Sequence, residues 1–445
     1  MKKFLYLPIE SKVREFDAKV LIALEAVKND YIVIIGSKSM IRYMKFLPKG
    51  IFIYKDSSSI MEEKFRKIRS YGHKVVVHDE EGFVQMNWDD YRKTRIDFDT
   101  LKYIDKYLCW GNEQFKAIEK SKNSINKNLN IVKVGHPRID LLKNPIRNYN
   151  FNKSNNSKVI LVNTKLAEYN HRQGENAWID IMKNHKMLQD ESFIKLKMDQ
   201  VSYKKSLMEC YINLINSISG KYKDCKIILR PHPVENIDKW KELTNNLENV
   251  TVTNEKPIGY WIHQSDVVIH TGCTTALEAF IMDKPVITFK PIDDKRFEVP
   301  LPDSISLKAT NEDQCVELIG RLIDNDYNYD AYKKNGNEIL SKNIESLEGE
   351  FAYQKIVKEL NKLEVQPVNF SFILQIKIKS LFLIQKIKSY AKKYLKPTAL
   401  NENQVFHKND IELSVQSLQK VIDMQDDIII DKLSENLYML WKNND

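Results

Sequence analysis

Cysteine is scarce, with five in 445 residues at positions 109, 210, 225, 273 and 315, and none of them forms a CxxC pair. That spacing suggests neither a disulfide framework nor a zinc site. No uninterrupted apolar run reaches the roughly 18 to 20 residues that cross a bilayer. The opening MKKFLYLPIESKVREFD begins with two lysines and a short apolar run that Glu10, Lys12 and Arg14 cut short. A first buried strand is expected there rather than a secretory leader, and with it a reducing cytoplasm. Acidic residues are missing altogether from Gln366 to Pro397, which holds seven lysines. The whole chain carries 69 Lys and Arg against 60 Asp and Glu, so setting that segment aside leaves 62 against 60. A general nucleic-acid binder spreads its cations over a groove, and a nearly neutral body excludes that class. With 42% apolar and 29% charged residues the chain has the composition of globular domains, not of a disordered protein.

Short apolar runs alternate with longer amphipathic ones through the first 330 residues, the pattern of βαβ units and a parallel sheet. In the first half, strands are expected at Lys3 to Leu7, Tyr31 to Ile35, Gly50 to Tyr54, Lys74 to His78, Tyr107 to Trp110 and Ile131 to Val134. Helices are expected at Asp17 to Lys28 and Ser59 to Tyr71. The stretch Asn144 to Lys158, rich in Asn, Ser and Lys, reads as a linker. Beyond it the alternation restarts with strands at Val159 to Asn163, Lys226 to Leu229, Val250 to Val252, Asp266 to His270 and Pro285 to Phe289. The expected fold is α/β: a Rossmann-like domain over 1–150, a second over 151–335, a helical return segment over 336–365, and a basic amphipathic helix with a helical tail over 366–445. Two such halves facing a central cleft would place ligands at the carboxyl ends of their strands.

Three strand ends carry the strongest chemistry. Val75 to Gly82 reads VVVHDEEG, an apolar strand that delivers Asp79, Glu80 and Glu81 together. Adjacent acids repel, so burial would raise the pKa of at least one, suiting it as general base or nucleophile. The competing reading is a solvated acidic turn. Lys226 to Glu235 reads KIILRPHPVE, where Arg230 offers a cationic fork, His232 can meet a phosphate, and Pro233 and its neighbour keep the turn rigid up to Glu235. Val267 to Ala279 reads VVIHTGCTTALEA: Thr271, Gly272, Thr274 and Thr275 surround a helix start that can take a phosphate, and Glu278 can accept from ribose hydroxyls. Plain N-capping by either Thr274 or Thr275 is the alternative there. The loop lacks the Gly-Lys-Ser/Thr ending of a Walker A site, which argues against NTP hydrolysis.

Weaker candidates are Asn163 and Thr164 at the end of one strand, His136 and Arg138 within GHPR, and Glu10 and Arg14 after the first strand. The histidines at 73, 171, 185 and 263 show no metal-ligand spacing, so no bound metal is expected. In Phe370 to Leu395, helical spacing puts Leu374, Ile378, Leu381, Ile384, Ile387 and Ala391 on one side with lysines on much of the rest. That pattern suits either an anionic membrane surface or packing on the protein body with snorkelling lysines.

PIE followed by VREFD, then HDEEG, WGNEQ, VGHPRID, RPHP and HTGCTTALEA, in that order over about residues 1 to 350, resemble bacterial surface-carbohydrate biosynthesis proteins related to the retaining β-Kdo glycosyltransferases. The resemblance implies a GT-B fold and a CMP-activated 2-keto-sugar acid as donor. GT-B sialyltransferases carry similar acidic and HP motifs. By that likeness the catalytic acid is one of Asp79, Glu80 and Glu81, CMP meets His232 and Pro233, and the phosphate loop is Thr271, Thr274 and Thr275.

The implied activity is transfer of a Kdo-like or sialic-acid-like sugar to a surface polysaccharide or lipid-linked glycan, without cofactor; the basic helix over 370–395, outside the resemblance, would set the protein on the inner face of the cytoplasmic membrane. A CDP-glycerol glycerophosphotransferase or a UDP-sugar 2-epimerase on the same fold is the first alternative. A non-catalytic, membrane-docked scaffold is the second.

Overall fold

The computed structural model describes residues 1–81, 84–85, 87–122, 126–147, 157–184, 191–393 and 407–443. The chain divides into two compact units. One comprises Met1–Phe83, Asn87–Asn150 and Ser341–Asp445, and the other Val84–Met86 with Phe151–Leu340. The central part of the expected linker lies outside the described residues, as does Gly82 of the acidic motif.

In the first unit, aliphatic and β-branched runs form β1 (Lys3–Ile9), β2 (Tyr31–Ser37), β3 (Gly50–Tyr54), β4 (Lys74–His78), β5 (Lys106–Cys109) and β6 (Asn130–Lys133). They pair in parallel in the order β2-β1-β3-β4-β5-β6. Alternation along each strand feeds two cores: Leu5 and Leu7 point to one face of the sheet, Phe4 and Tyr6 to the other. The Lys12–Lys28 helix covers the first face together with Ala352–Asn361 and Lys408–Val421. The expected start at Asp17 is five residues late, because the Glu15 carboxylate accepts from the Glu10 and Ser11 amides and so supports the opening turn.

The C-terminal extension carries the expected helices and also a hairpin that sequence periodicity did not reveal. β13 (Ile428–Ser434) and β14 (Leu437–Lys442) form an antiparallel pair, and β14 joins β2 antiparallel, making an eight-stranded sheet. The turn uses Asn436 at φ 59°, a conformation that Asn tolerates.

The return from the second unit is anchored by two motif glycines. A Cβ on Gly111 would lie 1.9 Å from the Asn343 carbonyl oxygen, and one on Gly135, at φ 81°, would lie 2.3 Å from that of Glu345. Asp140 then accepts from the amides of Ala352 and Tyr353 at the start of the next helix.

In the second unit, β7 (Val159–Asn163), β8 (Lys226–Arg230), β9 (Val250–Val252), β10 (Val267–His270), β11 (Val286–Phe289) and β12 (Leu307–Ala309) form a parallel sheet in the order β12-β11-β10-β7-β8-β9. This is the doubly wound order in which direction reverses between the first and fourth strands, here β7 and β10. The long Glu191–Lys221 helix buries Leu207, Tyr211, Leu214 and Ile218 against it.

Candidate functional site

The acidic motif of the first unit separates into three different environments. Asp79 is sealed from solvent; it accepts from Arg95 Nη2 at 2.5 Å, Tyr91 Oη at 2.7 Å and the Glu81 amide at 2.9 Å. Burial pushes its carboxyl up while Arg95 pulls it back. Asp79, with its upward shift, is therefore locked inside a hydrogen-bond network.

Glu80 is also buried. Its Oε1 lies 4.0 Å from Lys19 Nζ and its Oε2 3.4 Å from His136 Nε2, without a hydrogen bond to Oε2. His136 is stacked between His78 and Trp110, with centroids 4.2 and 4.0 Å away, and its Nδ1 accepts from the Arg138 amide. Burial holds both histidines neutral, His78 down at about 3. A cavity of about 10 Å³, the size of one water, lies among Lys19, His78, Glu80 and His136.

Glu81 is the acid that solvent reaches, at 44% side-chain exposure. Arg14 donates to its Oε1 at 3.1 Å and Arg95 to its Oε2 at 2.9 Å. Arg138 reaches the Glu80 carbonyl at 3.3 Å, so GHPR does join the motif. Glu10 directly follows β1 and pairs with Lys38, which follows β2, at 2.9 Å and with Lys55, which follows β3. Against the effect of burial, those two ammoniums hold its carboxyl down at about 2. Arg95, Tyr91 and Lys19 escaped the sequence reading, since they reach the motif from helices with no local signature.

In the second unit, pairing places Asn163 beside Arg230 on one side and His270 on the other. These strand ends straddle the reversal between β7 and β10. His270 accepts from the Gly272 amide at 2.8 Å through Nδ1, so its Nε2 carries the proton toward Ser306 Oγ, also at 2.8 Å. That bond shapes the turn, with Gly272 at φ 76°, that leads into the Thr274–Ile281 helix. Cys273 stands at the N-cap, and no side chain caps this helix start, so the alternative of plain threonine capping does not apply.

Around this turn three polar atoms are buried without a hydrogen-bond partner: Asn163 Oδ1, Arg230 Nε and Thr271 Oγ1. Buried polar atoms are seldom left so; an oxyanion ligand at this switch point would satisfy the Arg230 and Thr271 donors, whereas Asn163 Oδ1 calls for an N–H or O–H. Asn163 Nδ2 lies 3.4 Å from Cys273 Sγ, and the charge of Glu278 acts on Arg230, whose own charge burial disfavours.

Other expected donor residues have inward roles. The Glu235 carboxylate accepts from Thr164 Oγ1, the Leu166 and His232 amides and Trp240 Nε1, so Glu235 and Thr164 build the HP turn from within. Thr275 is buried, Thr274 half-buried, and His232 and Pro233 are exposed. Lys204, overlooked in the sequence, is buried with its Nζ 3.1 Å from the Lys165 carbonyl. Among the described residues no group of three or more His, Cys, Asp or Glu could hold a metal ion.

Solved structures share this architecture. A UDP-N-acetylglucosamine 2-epimerase matches at 14% identity and TM-score 0.51 over 83% of this chain and all of that one. A candidate UDP-N-acetylglucosamine 2-epimerase from Listeria monocytogenes matches at 14% identity and TM-score 0.50, with the same coverage. The fold is of GT-B type. The wall teichoic acid polymerase TagF matches at 12% identity and TM-score 0.46 over 81% of this chain and 88% of that one. No family model and no curated protein matches the sequence.

Proposed function

We propose that this chain is an enzyme of surface-carbohydrate assembly that acts on a nucleotide-activated sugar. The observation that carries the reading is the set of orphaned buried atoms on Asn163, Arg230 and Thr271 beside an uncapped helix start. A phosphate there would satisfy Arg230 Nε and the Thr271 hydroxyl, a ligand N–H or O–H would satisfy Asn163 Oδ1, and Arg230 with the helix amides would stabilise the charge of a departing nucleotide. Of the three motif acids, Glu81 is the one a substrate can reach, so it is assigned the chemistry; Asp79 and Glu80 hold the motif in shape.

The finer reading is transfer of a 2-keto-sugar acid from CMP to a glycan or glycolipid acceptor, supported by the motif resemblance. In a retaining reaction Glu81 forms a bond to the anomeric carbon as the bond to CMP breaks, and the acceptor oxygen then displaces the carboxylate, its proton passing to solvent. In an inverting reaction Glu81 takes the proton of the acceptor hydroxyl as that oxygen attacks the anomeric carbon and the bond to CMP breaks. Neither course calls on a metal, and a chelator is expected to leave the activity unchanged. The second reading is 2-epimerisation of a UDP-sugar, favoured by the likeness to the two epimerase structures with TM-scores of 0.50 and 0.51.

The test is incubation of the full chain with CMP-Kdo, a CMP-sialic acid, CDP-glycerol and UDP-N-acetylglucosamine, following nucleotide release and inversion at C2 by NMR. CMP release from a keto-sugar donor is expected. Inversion of UDP-N-acetylglucosamine without CMP release would select the second reading. Neither turnover nor nucleotide affinity with any of them would return the chain to a scaffold role.

A further inference from the structure

The Phe372–Lys393 helix is apolar on two sides. Ile378 and Phe382 are buried and, with Leu374 and Leu381, pack into the first unit's core, so part of the stripe expected to meet a bilayer meets protein instead. The side chains of Ile384, Ile387 and Ala391 lie outside the described residues. A different arc is left in solvent: Phe372 is 73% exposed, Ile373 77%, Ile376 47% and Leu383 57%. Their spacing puts all four within about 100° of one another around the helix axis, opposite the buried side. Lys377 and Lys379 are exposed on the same turns, and Lys379 pairs with Asp431 of β13.

A second segment packs on this helix, through the ring of Tyr43 on that of Phe382 at 5.2 Å. It has the same composition. Arg42, Lys45, Phe46 and Lys49 are exposed, Phe46 at 63%, and no acid occurs from Lys38 to Lys55. The basic character attributed in the sequence to one C-terminal segment is therefore shared by two segments that meet in the fold.

We infer that these two segments form a docking surface for an anionic lipid bilayer, with the Phe372–Ile376–Leu383 arc entering the interface and the cations of both segments engaging headgroups. The charge decides the occupant. Two copies of this chain meeting here would bring cationic segments face to face, which is unfavourable, whereas lipid phosphates complement them. Large exposed apolar side chains ringed by lysines bind a headgroup boundary by burying area and by Coulomb attraction together. Among the described residues no helix is long and apolar enough to cross a membrane, so the attachment is to one face. The inference stands apart from the reading of the active site.

The experiment is co-sedimentation of the full chain with vesicles of phosphatidylcholine alone or mixed with phosphatidylglycerol, with the oligomeric state followed by light scattering. Binding is expected only to the anionic vesicles and to weaken as salt rises. I373E/I376E and, separately, R42E/K45E should each lower the apparent affinity about tenfold or more. L413E, which changes an exposed leucine on the Lys408–Val421 helix, should leave it unaltered. Matching thermal melts would show that the variants fold. Absence of wild-type binding at low salt overturns the inference. So does binding indifferent to both double variants, or a dimer that I373E/I376E dissociates, which would assign the face to a second copy.

Discussion

Asp140 caps a helix that begins 212 residues later: its carboxylate accepts from the Ala352 amide at 3.1 Å and the Tyr353 amide at 2.9 Å, fully shielded from solvent. With Gly111 and Gly135 beneath the returning backbone, this contact ties the Ala352–Asn361 helix to the end of the first sheet. Asp140→Ala would leave two helix-start amides buried without acceptors. A loss of about 2 kcal/mol is expected, and Asp140→Asn, which keeps one acceptor oxygen, should lose about half of that. Denaturant titration of the three proteins checks the order; equal stability of all three would remove the cap from the account.

The three acids of the motif should respond differently to replacement. Asp79→Asn deprives Arg95 of its buried partner and should lower the melting temperature, with activity falling because the motif loosens. Glu81→Gln, half-exposed, should leave the melt unchanged and cut turnover about a hundredfold or more while nucleotide binding persists. Glu80→Gln alters a buried carboxylate near Lys19 and His136 and should show in both measurements. Activity retained by the Glu81 variant and lost only in a well-folded Glu80 variant would move the chemistry inward.

Nucleotide affinity tests the second unit independently. Arg230→Ala should weaken binding of CMP or UDP about ten- to a hundredfold by calorimetry, the value of a charge-assisted hydrogen bond to phosphate. Thr271→Val, which removes only the orphaned hydroxyl, should cost less, about tenfold at most. His232→Ala should weaken binding if the exposed HP turn reaches the ligand and do nothing if the turn is only scaffold.

Much of this was legible in the sequence because burial on both faces of a parallel sheet leaves continuous aliphatic runs such as VVV at 75–77 and VILV at 159–162. The motifs at the strand ends were legible for the same reason. Which side chain of a motif meets solvent was not. Asp79 and Glu81 are two residues apart, yet the first is sealed because Arg95 and Tyr91 arrive from the Trp88–Arg95 helix, a tertiary event without a local signature. Helical periodicity likewise shows that Leu374, Ile378 and Leu381 share a side but not whether lipid or protein lies against it. The β13–β14 hairpin did leave a signal in Ser-Glu-Asn between two apolar runs, hidden by the mixed charge around it.

His270 predicts how the second unit responds to acid. The imidazole is fully buried, accepts from the Gly272 amide and donates to Ser306, and burial holds its pKa down at about 4. In the unfolded chain it would titrate near the ordinary value of about 6.5. Between those two values the unfolded chain binds the extra proton and the native one does not, so native stability rises with pH across the window and falls as acid is added. The full difference is about 3 kcal/mol, complete below the folded value. His270→Gln keeps an acceptor and a donor but cannot take up the proton. It should therefore be less stable than wild type at pH near 7.5, with the gap narrowing as pH approaches about 4.5. Thermal melts across that range check the sign. A gap that stays constant would mean that the native ring takes up the proton as readily as the unfolded one, and a gap that widens in acid that it holds the proton more tightly, at the expense of the acceptor for the Gly272 amide.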